Sequence, residues 1–185
     1  MIIWPKRFNI YFVCLTLFAA AAGCRSPESD HKKELAVLHI YLEVTPDTMG
    51  MSSSAPIYRE HPTQVTVARS PFLSNGDVAA ARVVDDKMGG FALQIKFDQR
   101  GTWTLEQYSA TNPGKRFAIY AEFGDKLAVH RWLAAPVIAQ RISNGTLTFT
   151  PDATREESEQ IARGLNNVAV KEGNQEKPNT KAEGK

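Results

Sequence analysis

From Leu35 the chain reads "LAVLHIYLEV", in which Val37, His39, Tyr41 and Glu43 interleave with Leu38, Ile40, Leu42 and Val44. A period of two predicts a strand with one apolar face. Residues 45–63 hold Pro46, Pro56 and Pro62 and the triplet Ser52, Ser53 and Ser54, which predicts a long connection. "QVTVARS" then predicts a second short strand. In "PFLSNGDVAAARVV", Ser74 and Asp77 have the spacing of a capping box, with Val78 and Ala81 on one stripe, so a short helix is expected from Asn75 to Ala81. "RVVDD" and "GFALQIKF" follow as strands joined across Lys87 to Gly90, where paired glycines suit a tight reversal.

Beyond Phe97 the period changes. Asp98 can cap a helix that carries Gly101, Leu105 and Tyr108 on one side, and "NPG" at Asn112 to Gly114 stops it. "RFAIYAEF" and "KLAVHRWL" predict a hairpin around Gly124 and Asp125. "APVIAQRI" and "TLTFT" are expected to pair across Asn144 and Gly145. A second capping box, Thr154 with Glu157, opens a last helix through Ile161, Ala162 and Leu165. The expected class is α+β: a mostly antiparallel sheet of roughly seven strands with about three helices packed on one face, in a single compact domain.

The ends of the chain behave differently. Lys6 and Arg7 precede an apolar run from Phe8 to Ala22, roughly 15 residues against the ~20 that a membrane-crossing helix needs, which is the layout of a secretory leader. "AAGC" at residues 21–24 resembles the bacterial lipobox, with Ala21 where leucine is commoner. The resemblance implies a leader over 1–23 and lipidation at Cys24, so that membrane lipid is a partner through that residue; several acyl chains hold where one alone is marginal. An ordinary leader cut beside a cysteine is the other reading. Residues 24–34 read as a flexible tether and 171–185 as a disordered tail, leaving 35–170 for the domain.

Charge and chemistry narrow the class further. The chain has 22 lysines and arginines against 20 acids, and loss of residues 1–23 removes Lys6, Arg7 and no acid, so the mature protein is formally neutral. That leaves no electrostatic footprint for nucleic acid. Cys14 lies in the leader, so no intramolecular disulfide and no cysteine metal cluster is expected. No G-x-S-x-G is present, and His31, His39, His61 and His130 lack metal-ligand spacing, so neither catalysis, a metal nor a cofactor is expected. Asp85 with Asp86 falls at a turn and Glu156 with Glu157 in a helix's first turn, where the helix dipole favours negative charge. Trp103, Tyr108, Phe117 and Trp132 are read first as core, with an aromatic ligand platform as the alternative.

The order of segments is itself informative. "LHIYLEV", "VARSPFLSNGDVAAARVV", "GGFALQIKFDQRGTWTLEQYSATNPGKRFAIYAEF", "APVIAQRISNG" and "TREESEQIARGL" together resemble the head subdomain of the first periplasmic domain of SecD and SecDF. The likeness rests on Gly101 four residues beyond Phe97, G-K-x-x-A-I at Gly114 to Ile119, A-P-V-I at Ala135 to Ile138, and the T-x-E-E start of the last helix. The link from Lys126 to Ala134, with Arg131 and Trp132, is longer than the family's, and "PDA" extends the approach to the last helix. The family's other domains and membrane helices have no counterpart in this sequence, so proton-driven work is not expected of it.

The resemblance implies a non-enzymatic envelope protein that touches unfolded or secreted polypeptide or Sec translocon components. The alternative is the same scaffold reused as a structural or interaction lipoprotein, with a hydrolase as a distant third. Arg25 after the cysteine, in place of aspartate, points to the outer rather than the inner membrane, facing the periplasm. The expected polypeptide-binding surface lies within Lys126 to Ile142, with Arg131, Trp132, Val137, Ile138 and Gln140 as its residues; the competing reading makes Val137 and Ile138 core.

Overall fold

The alternation of "VLHIYL" becomes strand β1 (Val37–Leu42), with Leu38 and Ile40 fully buried and their neighbours half-buried. The computed structural model describes residues 34–47, 50–86 and 89–174. Cys24, the expected leader at 1–23, the expected tether as far as Lys33 and residues 175–185 of the expected tail lie outside these.

Eight further strands follow: β2 (Ser52–Ile57), β3 (Thr63–Ala68), β4 (Leu73–Ser74), β5 (Val78–Asp85), β6 (Phe91–Phe97), β7 (Phe117–Phe123), β8 (Val129–Ala134) and β9 (Thr146–Phe149). Helix α1 spans Gln99–Thr111 and α2 spans Arg155–Glu172. The strands form three antiparallel sheets: β4-β1-β7-β8, β2-β3 and β5-β6-β9.

This corrects the expected architecture of one sheet under about three helices. Two α-helices are present among the described residues, and the strands divide among three sheets. The expected helix at 75–81 is where the difference begins. Ser74 and Asp77 do form their reciprocal capping bonds, but the turn that they close is a single 3-10 turn at Asn75–Asp77. At Val78 the backbone is already extended, φ −84° and ψ 126°. Too few residues follow to offset helix nucleation, whereas Val83 and Val84 favour the pleat and β6 offers a ladder from Val78 to Asp85.

Two connections also differ. β2 lies inside the expected long connection, because buried Ala55 and Ile57 alternate with exposed Ser54 and Pro56 and pair with Val65 and Thr63. Residues 135–142 form no strand with β9, which pairs with β6 instead.

The main core lies between the inner face of the four-stranded sheet, the three-stranded sheet and both helices. It gathers Leu38 and Ile40 from β1, Leu93, Ile95 and Phe97 from β6, Phe117, Ile119 and Phe123 from β7, and Leu105, Ile161 and Leu165 from the helices. A second, smaller cluster lies on the opposite face of the four-stranded sheet, where the β2-β3 hairpin covers Ala118, with Tyr41, Trp132 and Ala135 at its margin. Burying these side chains is worth roughly 25 cal/mol for each square ångström of apolar surface removed from water.

Both helices are anchored as their sequences predict. The Asp98 carboxylate accepts from the Gly101 N–H, and Thr154 and Glu157 exchange capping bonds at the start of α2. Gly164 lets α2 touch the start of β1: a Cβ there would sit 2.6 Å from the Ala36 nitrogen.

Candidate functional site

The apolar run "APVI" leaves β8 and crosses back toward β7. Pro136 accepts a hydrogen bond from the Phe117 N–H, and Ile138 exchanges backbone bonds with Lys115 and Gly114. This pins Ile138 in the main core, 3% exposed, and turns Val137 outward, 54% exposed. From there residues 139–144 loop over α1. The Ser109 hydroxyl accepts from the Ile142 N–H at 2.9 Å, and Arg141 pairs with Glu106.

Between this loop and β9 lies an open cleft of about 450 Å³. Phe117, Pro136, Val137 and Ile142 give it apolar wall, Gln140 and Ser143 give it polar rim, and Thr146 to Thr148 of β9 form the opposite side.

β9 is an edge strand. Its ladder runs to β6, with Phe97 donating to the Gly145 carbonyl, which fixes the alternation: Leu147 and Phe149 face β6 with their backbone groups, and Thr146 and Thr148 direct theirs away from it. Asn144 Oδ1 takes the Thr146 N–H at 3.0 Å. Thr148 N–H and C=O have no strand partner among the described residues. The Thr148 hydroxyl accepts from Gln94, which in turn accepts from Arg82, so a polar ladder crosses the outer face of this sheet.

The five expected site residues divide. Val137 and Gln140 line the cleft with exposed side chains, and Ile138 lines it from the core. Arg131 and Trp132 are elsewhere. The Arg131 guanidinium donates to both oxygens of Glu157 at 2.8 and 3.0 Å and lies over the Phe123 ring, tying β8 to α2. That bond, opposed by partial burial and helped by the Thr154 N–H, holds the Glu157 carboxyl below the usual carboxylate range. Trp132 points to the other face, against Tyr41 and Tyr120. Both therefore lie away from the cleft, and its lining includes Phe117, Thr146 and Thr148 from outside the expected segment. The alternation of "TLTFT" marks a strand but not which of its edges stays free.

Among the described residues no group of three or more histidines, cysteines and acids is placed to hold a metal ion, and no helix is long and apolar enough to cross a membrane.

Comparison with known proteins bears on this arrangement. Residues 52–171 match the model of the SecDF P1 head subdomain. This chain belongs to that family. The match takes in every strand from β2 to β9 and nearly all of α2, and leaves β1 outside it. The protein translocase subunit SecDF of Thermus thermophilus is 33% identical over 92 residues, which are 50% of this chain and 12% of that protein. The chain thus corresponds to a small part of that relative. Two solved structures share the fold. One, described as a membrane component SecDF that enhances protein export, has a TM-score of 0.53 and 22% identity, covering 79% of this chain and 70% of the other. The second, SecDF in a super-membrane-facing form, has a TM-score of 0.51 and 23% identity over 77% of this chain and 21% of the other.

Proposed function

We propose that this SecDF head domain is a non-catalytic, lipid-anchored envelope protein that binds extended segments of secreted polypeptide in the cleft between residues 136–144 and β9. The observation that carries the reading is the free edge of β9 beside an apolar wall. Strand addition uses backbone hydrogen bonds, which every polypeptide offers, and shallow apolar contacts add affinity without demanding a sequence. Val137 and Gln140 supply the wall and rim, and Thr148 supplies the donor and acceptor. Membership of the SecDF head family supports an export-related role, since a relative of this fold is described as enhancing protein export.

The anchor is assigned to Cys24 from the "AAGC" sequence, with the residues before Glu34 as tether, those beyond Asn174 as tail and the domain held at the periplasmic side of the outer membrane. Translocon subunits are the second class of partner that this location allows.

Photo-crosslinking in the native host tests the reading. Probes at Val137, Gln140 and Thr148 are expected to trap many unrelated secreted precursors, while a probe at exposed Trp103 traps few. A single defined envelope partner from all three cleft positions would overturn it in favour of a scaffold reused for interaction; no adduct would overturn it outright.

A further inference from the structure

The outer face of the four-stranded sheet has a chemistry that neither the core nor the cleft uses. Across β1, β7 and β8 its outward positions bring together His39, Tyr41, Tyr120, Glu122, His130 and Trp132. Tyr120 lies at the centre. Its ring is parallel to His39 within 10°, with centroids 6.5 Å apart, and 5.2 Å from Trp132, which is 5.3 Å from Tyr41. The β2-β3 hairpin covers the Tyr41 and Trp132 end of this row and stops there. The rest, from His39 through Tyr120 to Glu122 and His130, is half-buried or exposed.

The charge on this face is one-sided. Outward positions between Val37 and Tyr41, Ala118 and Glu122, and His130 and Trp132 hold one carboxylate and no lysine or arginine. Arg131, the arginine of β8, is turned to the opposite face by Glu157. Among the described residues, the polar side chains that meet Glu122 are the Tyr120 hydroxyl at 3.4 Å and His130 Nδ1 at 3.4 Å. Burial first and the Glu122 charge second push the hydroxyls of Tyr41 and Tyr120 up, which keeps both rings neutral. His39 Nδ1 is buried with no hydrogen-bond partner among the described residues, a polar atom that packing alone does not account for.

We infer that this face is a second binding site, one that takes a lysine or arginine side chain of an extended polypeptide, with the cation over the Tyr120 and His39 rings and paired to Glu122. An aromatic ring attracts a cation within about 6 Å of its centroid, and a partly desolvated carboxylate beside it completes the charge complement. The site is separate from the β9 edge, and its failure and that of the cleft are read by different residues.

The test uses the full protein labelled with ¹⁵N and two probes, the peptide acetyl-Ser-Gly-Arg-Gly-Ser-amide and its counterpart with citrulline, the neutral isostere, in place of arginine. The arginine peptide is expected to shift the Trp132 indole and the amides of residues 37–41 and 118–122, leaving the exposed Trp103 indole unmoved, with the citrulline peptide about tenfold weaker. Glu122→Gln should reduce the arginine peptide to the citrulline level, Tyr120→Leu should weaken it with the carboxylate intact, and Thr148→Pro should leave it unchanged. Equal shifts from both peptides, no shift at Trp132, or shifts confined to residues 136–148 would overturn the inference.

Discussion

The three-stranded sheet has two edges that have been treated in opposite ways. At β5, Ala81 directs its backbone groups outward, and the side chain of Asn166 on α2 meets both: its amide donates to the Ala81 carbonyl at 2.9 Å and its oxygen accepts the Ala81 N–H at 2.8 Å. A side-chain amide there stands in for a neighbouring strand. At β9, Thr148 presents the same pair of groups and nothing among the described residues meets them. Open edges invite pairing with other chains, so proteins cover them unless pairing is wanted. The covered edge shows that this fold has the means to close an edge, which makes the free one beside the cleft informative.

Breaking the covered edge should have the largest effect. Asn166→Leu leaves the Ala81 donor and acceptor unmet, at about 2–4 kcal/mol in all for two partly buried groups, and turns β5 into a second open edge. Urea denaturation should show the loss and light scattering should show new self-association. Gly164→Ala acts on the same helix by a different route: a methyl group 2.6 Å from the Ala36 nitrogen must push α2 off β1, costing about 1–3 kcal/mol in the same assay.

Acid should loosen the same helix from β8. The Glu157 carboxyl is held below its unfolded value, chiefly by Arg131, so its contribution is present above the ordinary carboxylate range near pH 4.5 and is lost as pH falls through the lower folded value. Stability of the wild type should therefore fall more steeply toward acid than that of Glu157→Gln, a difference of about 1 kcal/mol given partial exposure, read by urea midpoints at several pH values.

The smallest effect on stability is expected at the free edge. Thr148→Pro removes an N–H that no ladder uses, and proline is tolerated on edge strands. Its unfolding free energy from urea denaturation should lie within about 1 kcal/mol of wild type, while capture of unfolded polypeptide is lost.

Much of this molecule was legible in the sequence, and the lapses have physical causes. β1, β6, β7, α1 and α2 follow from periods of two and 3.6 and from Asp98 and Thr154 as caps, all local features. The resemblance of the segments to the SecDF head also holds. The expected helix at 75–81 failed because a true capping box at Ser74 and Asp77 says how a turn starts and nothing about what continues it; β6 decided that. The position of Arg131 and Trp132 in a long link puts both near the expected surface in sequence, whereas in space the arginine reaches Glu157 and the tryptophan stands beside Tyr120 on the opposite face of the sheet. Which edge of "TLTFT" stays free depends on where residues 135–144 run, and no local pattern encodes that.

The most direct test is amide hydrogen exchange at Thr148 with and without a permanently unfolded polypeptide, reduced and carboxymethylated α-lactalbumin. Strand addition at β9 predicts that the Thr148 amide, fast in the free protein, becomes protected on binding while Ala81, already held by Asn166, does not change. Binding that leaves Thr148 exchange as fast as before would contradict the account.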